Sequence, residues 1–409
     1  MPLDLQLHRV QKLLKLLKNP HYKPQFIHVA GTNGKGSVCS YISHILEEAG
    51  IANGRFNSPH LITARDSIQI NNNPVSLPVY EKFRNLILET NDRYDVGCTE
   101  FELLTCTAFQ IFAEFNIPIA IMEVGVGGRL DATNVIPADR TLVVGITKVA
   151  LDHQNLLGNT LAEIAFQKVG IFKEKVPAII DGSNETTVID IAKKEAANVL
   201  APLVIATRKD CWIQPTLLGD YQYDNLAVAL KMIDQIKDQK ITRESVKKGI
   251  EKTVWPGRLQ EYNFPIQHLL HETSEPTFPM LLDGAHNTQA AFELGKYLEY
   301  IRPENGFVFI IAVTKGKDLS TLFKHIITKN DDIVFTQFHD DIEGMPWIES
   351  SPVEFLEKQI NDQKIPHATV HTIPNIEDSL KEAFRISRQT AKRVVVCGSL
   401  YLVADVLRI

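Results

Sequence analysis

The stretch that decides the fold is QFIHVAGTNGKGSVCSYISHILEEAG, which runs from Gln25 to Gly50. QFIHVA is apolar and rich in strand formers, and GTNGKGS is a glycine turn. The remainder carries an apolar stripe at the spacing of one helix face, made of Val38, Tyr41, Ile42, Ile45, Leu46 and Ala49. The order predicts a strand, a glycine loop and a helix that Gly50 ends, which is one unit of a parallel α/β sheet.

The same rhythm recurs along the chain. The runs IPIAIMEVG (117–125) and TLVVGIT (141–147) are continuously apolar, as buried parallel strands are. The pattern breaks at Trp255–Gly257, and after the polar stretch HETSEPT it restarts with FPMLLDGAHN, FVFIIAVT, DIVFTQF and RVVVCGS. Single cores stop growing at about 250 to 300 residues. We therefore expect two α/β domains, at 1–262 and 263–409, the second being a smaller Rossmann-like open sheet.

Composition narrows the class of protein. Hydrophobic residues make up 44% and charged residues 22% of 409 residues, which is typical of a globular protein. The net charge of −6 argues against a surface for nucleic acid or anionic membrane. The five cysteines form no C-x-x-C pair and are interpreted as reduced thiols, which favours the cytoplasm. We expect a monomer whose partners are small molecules.

The first residues predict an amphipathic helix that Asn19 and Pro20 end. They lack the long apolar region and the cleavage site of a secretory signal. A mitochondrial presequence is the alternative, because the segment is basic, but Asp4 disfavours it.

GTNGKGS lies between a predicted strand and a predicted helix, where glycines let backbone N–H groups surround phosphates. Lys35 would neutralise phosphate charge, and the Ser37 hydroxyl would reach phosphate or Mg²⁺. The strict P-loop pattern is not met, because Val29 replaces its first glycine and Gly36 separates the lysine from the serine. A glycine turn without a ligand is the alternative.

Polar residues follow the predicted strands at one edge of the sheet, where ligands of parallel sheets collect. Glu123 ends its strand and is placed to bind Mg²⁺, although it could instead cap the next turn. His153 follows the next strand beside Asp152, and either binds a ligand or is an ordinary polar residue.

Three further residues carry possible chemistry. Lys168 lies on a predicted helix, where a solvated lysine is expected, whereas a buried lysine would have a lowered pKa and a nucleophilic amine. Asp283 and Arg258 could flank an interdomain cleft and hold a nucleotide ribose and phosphates. Their alternatives are a turn carboxylate and a surface arginine.

Taken together, the motifs resemble the folylpolyglutamate synthase and dihydrofolate synthase family, the folate relatives of the Mur peptide ligases. The resemblance covers nearly the whole chain and is carried by HVAGTNGKGS, NSPHL, EVGVGGRLDATN, ITKVALDH, FQKVGIFK and LLDGAHN. Only 30 residues precede Gly31, whereas cell-wall peptide ligases usually carry a UDP-sugar domain there. The resemblance implies a P-loop-containing N-terminal domain of the Mur-ligase central type and a Rossmann-like C-terminal domain.

The resemblance also implies roles for individual residues. ATP would be bound by Asn33, Gly34, Lys35, Gly36, Ser37, Asn225, Arg258 and Asp283. Mg²⁺, as two ions, would be bound by Ser58, Glu123 and His153. The pterin would be lined by Thr99, Glu100, Phe101, Glu102, Leu130, Asp131 and Ala132. The catalytic residues would be Lys35, His153, Lys168 and His286, with Lys168 carbamylated by CO₂. A monovalent cation is a further expected ligand.

The implied reaction transfers a phosphoryl group from ATP to the carboxylate of dihydropteroate, and the amine of L-glutamate then attacks the acyl phosphate. TEFELLTCTAFQIF, EGMPWI and VVVCGSLYLVADVLR look most like the monofunctional dihydrofolate synthases of fungi, and Asn33 agrees with this. A polyglutamate synthase or a bifunctional enzyme is the alternative. A non-catalytic nucleotide-binding module is the alternative from a different class. No N-K-x-D motif supports a GTPase, and the glycine spacing does not fit G-x-G-x-x-G.

Overall fold

The computed structural model describes residues 6–270, 276–317, 319 and 321–409. Most of the polar stretch near the predicted domain boundary, 271–275, lies outside the described residues. The chain forms two compact units, which divide between Val254 and Trp255, and the short segment Leu217–Asp220 belongs with the second. The α/β prediction is confirmed for both units, while the boundary between 262 and 263 stays a prediction.

The described part of the first unit contains eight strands and nine α-helices. Its strands are β1 (Gln25–Ala30), β2 (Asn53–Phe56), β3 (Ile68–Ile70), β4 (Asn73–Pro74), β5 (Ile119–Glu123), β6 (Thr141–Ile146), β7 (Ala178–Asp181) and β8 (Leu203–Ala206). Its helices are α1 (His8–Leu16), α2 (Lys35–Glu48), α3 (Leu77–Arg93), α4 (Glu100–Glu114), α5 (Gln154–Leu157), α6 (Leu161–Val169), α7 (Thr186–Asn198), α8 (Gln222–Ile233) and α9 (Arg243–Lys252).

The strands of this unit form one sheet in the order β4-β3-β2-β5-β1-β6-β7-β8. From β2 to β8 all neighbours are parallel, and β3 and β4 are antiparallel additions at one edge. The register pairs Val29 with Glu123 and Phe56 with Met122. The residues that follow β1, β2, β5 and β6 therefore meet at the edge of the sheet formed by the carboxyl ends of the parallel strands.

Apolar side chains fill both faces of this sheet, as a parallel sheet requires. One cluster joins α1, α3 and α4 to the strands, with Phe26, Phe56 and Phe109 fully buried in it. A second cluster joins α6 and α7 to the strands. Helix α2 packs against both α8 and α9, which explains why most of its residues are buried. The phosphate loop thus begins on a rigid strand and ends on a rigid helix.

The second unit holds a smaller sheet in the order β13-β12-β11-β14-β10-β9 among its described residues. Its strands are β9 (Gln260–Pro265), β10 (Thr277–Leu282), β11 (Phe307–Ile311), β12 (Asp332–Phe335), β13 (Thr369–Thr372) and β14 (Arg393–Cys397). Its helices are α10 (Gln267–Leu270), α11 (Thr288–Ile301), α12 (Leu322–Ile326), α13 (Val353–Asp362), α14 (Ile376–Thr390) and α15 (Leu400–Arg408). All neighbours are parallel except β9, which runs antiparallel to β10.

No helix within the described residues is long and apolar enough to cross a membrane.

Candidate active site

The phosphate loop occupies the turn between β1 and α2. Helix α2 begins at Lys35, inside the GTNGKGS motif rather than after it, because Gly34 at φ 94° acts as its N-terminal cap. The backbone N–H groups of Thr32 and Asn33 donate to the Lys148 carbonyl at 2.8 and 3.1 Å. The N–H groups at the start of α2 are therefore the ones positioned for an anion, with the helix dipole behind them.

Gly34 is required by its surroundings as well as by its backbone. A Cβ atom at this position would overlap the side-chain amide of Asn225, whose Cγ would lie 3.0 Å away. Asn225 Nδ2 donates to Gln222 Oε1 at 3.0 Å, and Gln222 Nε2 donates to Ser37 Oγ at 3.3 Å. The structure thus brings Asn225 and Ser37 together with the loop. It also adds Gln222, which the sequence does not single out although it lies one helical turn before Asn225 on α8.

Glu123 is the buried carboxylate of the site. The residue is 4% exposed, with Oε1 lying 3.6 Å from Lys35 Nζ and Oε2 accepting a hydrogen bond from Asn57 Nδ2 at 2.7 Å. Lys35 Nζ also donates to the Thr32 carbonyl at 3.1 Å. Asp131, and not Glu123, accepts the N–H groups of Gly125 and Val126 in the turn that follows β5.

Lys168 is buried at 4% exposure, and its Nζ donates to the Gly31 carbonyl at 2.8 Å. The expectation of a solvated lysine is therefore wrong. The reason is tertiary: Arg129 N donates to the Gln167 carbonyl at 2.8 Å, and the loop before Arg129 covers this end of α6. Burial, followed by the charge of Lys35, lowers the pKa of Lys168 to about 7. Much of this amine is neutral near neutral pH.

The remaining predicted metal ligands lie at the same edge of the sheet. Ser58 is half-buried and follows β2 at the cis peptide bond to Pro59. His153 is exposed at φ 50° and precedes α5. Within the described ranges, no three His, Cys, Asp or Glu side chains form a group that could hold a metal ion by themselves. Mg²⁺ does not require such a group, since it commonly takes one or two protein carboxylates and completes its shell with phosphates and water.

Three of the predicted pterin-lining residues form contacts at the start of α4. Thr99 and Glu102 form a capping box at the start of α4, with Thr99 N donating to Glu102 Oε2 at 2.7 Å. Arg9 Nε donates to the same carboxylate oxygen at 3.0 Å. Glu100 forms an ion pair with Arg84. These contacts orient the helix start, and a role in pterin binding stays a prediction.

The other four predicted pterin residues surround the EVGVGG loop. Phe101 packs so closely on Gly125 that a Cβ atom there would lie 2.5 Å from the ring. Asp131 is buried and accepts from the N–H of Gly125 at 3.0 Å, and burial raises its pKa. Leu130 is 45% exposed, and Ala132 is 6% exposed. An aromatic ring and an exposed leucine therefore flank a loop that a buried carboxylate holds in shape.

The second unit contains the other predicted nucleotide residues. Asp283 is buried and accepts from the N–H groups of Leu259 and Ala285, each at 2.8 Å. Burial raises its pKa, and the charge of Arg258 opposes this. Arg258 donates to the preceding carbonyl at 3.0 Å, and His286 Nδ1 donates to the carbonyl two residues before it at 2.9 Å. Asp283 thus stabilises its turn, as the alternative interpretation expects, and its nucleotide role stays a prediction.

Comparison with known proteins decides the family. A family model described as the C-terminal domain of dihydrofolate synthetase matches residues 266–409. Dihydrofolate synthetase of Saccharomyces cerevisiae is 39% identical to this chain, over 100% of the chain and 98% of that protein. This chain belongs to the folylpolyglutamate synthase and dihydrofolate synthase family. The probable dihydrofolate synthetase of Schizosaccharomyces pombe is 37% identical over 100% of the chain and 99% of that protein.

Other members of the family are more distant. The probable folylpolyglutamate synthase of S. cerevisiae is 29% identical over 98% of the chain and 96% of that protein. Folylpolyglutamate synthase of Mycobacterium tuberculosis, solved with ADP and AMPPCP, superimposes with a TM-score of 0.82 at 26% identity, over 98% of this chain and 94% of that one. The bifunctional enzyme of Yersinia pestis, solved with AMPPNP and a Mn ion, gives 0.79 at 25% identity, over 100% and 94%. The predicted family and its two-domain α/β fold are confirmed.

Proposed function

We propose that this protein is a dihydrofolate synthase, which uses ATP to join L-glutamate to 7,8-dihydropteroate and forms 7,8-dihydrofolate through an acyl phosphate. One observation carries the choice within the family. The chain is 39% identical to the dihydrofolate synthetase of S. cerevisiae but 29% identical to the probable folylpolyglutamate synthase of the same organism, with nearly complete coverage in both cases. We place the enzyme in the cytoplasm as a monomer, without nucleic-acid or membrane partners.

Two alternative functions are distinguished by the experiment described at the end of this subsection. A polyglutamate synthase or bifunctional enzyme shares the same scaffold and would add glutamate to tetrahydrofolate. A non-catalytic nucleotide-binding module would need only the phosphate loop. The burial of Glu123 beside Lys35 and of Lys168 at the Gly31 carbonyl favours an enzyme, because burying charged groups costs stability and such groups cluster at functional sites.

The phosphate loop supports the nucleotide part of the proposal. The start of α2 offers N–H groups and a lysine, and the cradle at Gly34 has no room for a side chain. We assign phosphate binding to Asn33, Gly34, Lys35, Gly36 and Ser37, and the rest of the ATP site to Asn225, Arg258 and Asp283. Relatives solved with AMPPCP and AMPPNP support the binding of ATP itself.

The chemistry of the same edge supports a divalent cation. Glu123 supplies a buried carboxylate and Ser58 a hydroxyl. Asn57 Oδ1 is a buried oxygen that accepts no hydrogen bond within the described part of the chain. Hard oxygen donors of this kind suit Mg²⁺, and we assign it to Ser58, Glu123 and His153. The ion would neutralise phosphate charge.

Lys168 and His286 complete the proposed machinery. The neutral fraction of the Lys168 amine at pH 7 makes carbamylation by CO₂ chemically accessible, and the product would support a second Mg²⁺. His286 would lie near the phosphate, and the proposal leaves room for a monovalent cation. Residues 99–102 and 130–132 would line the pterin. Catalysis then depends on orientation and charge neutralisation, without a nucleophilic side chain in the transfer itself.

The decisive experiment is phosphate release from Mg·ATP with L-glutamate, offering 7,8-dihydropteroate and tetrahydrofolate in separate reactions and identifying products by mass. We expect turnover with dihydropteroate alone. Turnover with tetrahydrofolate would indicate a polyglutamate synthase or bifunctional enzyme, and no turnover with either would contradict the proposal. A Lys35→Met sample purified in parallel controls for contaminating ligases, since it keeps the length of the side chain but removes its charge.

A further inference from the structure

Asn57 lies next to Glu123 because of the register of the sheet. Strands β2 and β5 are parallel neighbours, and their last aligned pair is Phe56 with Met122. The residues that follow this pair are therefore adjacent at the edge where the phosphate loop also lies. Asn57 N donates to the Ser67 carbonyl at 3.0 Å, which anchors its backbone. The position of Asn57 is thus set by the fold and not by a mobile loop.

The side chain of Asn57 holds one oxygen of the Glu123 carboxylate. Nδ2 donates to Oε2 at 2.7 Å, and the two residues are 5% and 4% exposed. The orientation of the amide is determined, since its oxygen would be repelled by the carboxylate. Lys35 faces the other oxygen, Oε1, at 3.6 Å. The carboxylate is therefore held from two sides, by a neutral donor and by a cation.

Packing alone does not explain an asparagine at this position. Its Oδ1 is buried and accepts no hydrogen bond within the described residues, a condition that destabilises a fold. An apolar side chain of similar size would avoid that cost. An apolar side chain would, however, lack the amide N–H group that donates to Glu123.

We propose that Asn57 is a positioning residue for the divalent cation of the proposed ligase reaction. Its amide fixes the rotamer of Glu123 by engaging Oε2, so that Oε1 stays directed at Lys35 and at the cation. Because the amide is neutral, it orients the carboxylate without neutralising its charge. The negative charge of Glu123 therefore remains available to attract the metal ion and Lys35. This inference deepens the proposed function, since it concerns the same site.

The test compares Asn57→Ala and Asn57→Asp with the wild-type enzyme. Alanine removes the donor, whereas aspartate keeps the size of asparagine but replaces the donor by a carboxylate that repels Glu123. Asn91→Ala is the matched control, because Asn91 is also a buried asparagine of the first unit, 9% exposed, with hydrogen bonds to Cys98 and Asp92. Mn²⁺ binding is measured from the free-ion EPR signal in the presence of AMPPNP, turnover with Mg·ATP, and folding by thermal unfolding.

Partners that orient metal ligands typically change metal affinity or activity by about 10- to 100-fold when they are removed. We expect that loss of Mn²⁺ affinity for Asn57→Ala, and a comparable loss of turnover for both variants at Asn57. Asn91→Ala should keep both properties near the wild-type level.

Wild-type Mn²⁺ affinity in Asn57→Ala, or wild-type turnover in Asn57→Asp, would overturn the proposal. So would failure of both variants to fold, because Asn57 would then be a structural residue. The Mn²⁺ titration uses no pterin. It therefore stays informative if the proposed substrate is wrong.

Discussion

Replacing Lys168 with methionine should remove a pH-dependent destabilisation of the first unit. Burial lowers the pKa of Lys168 from 10.5 to about 7. One pKa unit corresponds to about 1.4 kcal/mol, so the folded state disfavours the charged amine by roughly 5 kcal/mol. The unfolded chain keeps its proton up to about pH 10.5, whereas the folded chain releases it near pH 7. Between these values the unfolded state binds more protons, and the free energy of unfolding rises with pH.

The magnitude follows from the same two pKa values. Well below pH 7, Lys168 lowers the free energy of unfolding by the full amount. The reduction is about 4 kcal/mol at pH 7 and about 2 kcal/mol at pH 9. Methionine lacks this contribution. The stability of Lys168→Met relative to wild type should therefore fall by about 2 kcal/mol between pH 7 and pH 9. Loss of the hydrogen bond to Gly31 shifts both values equally, so the slope is the informative quantity.

The assay is urea-induced unfolding at pH 7, 8 and 9 in CO₂-free buffer, which keeps the amine unmodified. Lys175→Met is the control, because the Lys175 side chain is 71% exposed in the same unit. A stability difference for Lys168→Met that does not change with pH would refute the argument that burial sets the pKa of Lys168.

Three other variants test the site. Gly34→Ala should weaken ADP binding at least ~10-fold in a calorimetric titration, because the backbone angle φ of 94° and the Asn225 amide exclude a Cβ atom. Gly50→Ala is the control and should bind ADP normally, since Gly50 at φ 68° has open space around it. Asp283→Ala should weaken ATP binding more than pterin binding when each ligand is titrated separately, and equal weakening would contradict its assignment. Phe101→Ala should raise the KM for dihydropteroate by ~10-fold or more while the KM for ATP stays constant, since it removes a ring that packs on the EVGVGG loop. A rise in the KM for ATP alone would exclude Phe101 from the pterin site.

The sequence predicts those elements whose burial is complete on both sides. QFIHVA and TLVVGI are continuous apolar runs, and they form β1 and β6 at the predicted positions. Helix α11 begins at Thr288, directly after the asparagine of DGAHN, because Asn287 caps it by accepting from Ala290 N at 2.9 Å. In these segments local propensity, periodicity and caps all favour the same structure.

Other strands are buried by the neighbouring strands of the sheet, and no pattern in their own sequence indicates that burial. Strand β2 has the sequence NGRF, yet all four of its residues are buried. Its burial comes from β3 and β5 on either side, and Arg55 is accommodated through Gln69 Oε1 on β3. Burial lowers the pKa of Arg55 to about 10. No pattern within NGRF indicates a buried strand.

The site was predicted best where one loop contains the residues. Residues 31–37 form a contiguous motif, but Lys168 was expected in solvent because its covering loop lies some 40 residues earlier in the chain. Asn57 and Gln222 were missed for the same reason, since each acts by contacting a distant residue. The position of Asn57 beside Ser58 in NSPHL was the available signal.

The strand order of the first unit determines when its site can exist during folding. Strand β5 enters the sheet between β1 and β2, although it follows both in the chain. A nascent chain that has made only β1, α2 and β2 therefore has a phosphate loop but neither Glu123 nor the strand that aligns Asn57 with it. The long-range insertion of β5 forms the centre of the sheet and, in the same event, brings Glu123 beside Lys35 and Asn57. A ligand that binds only the finished site will stabilise the whole of this sheet against unfolding, by mass action.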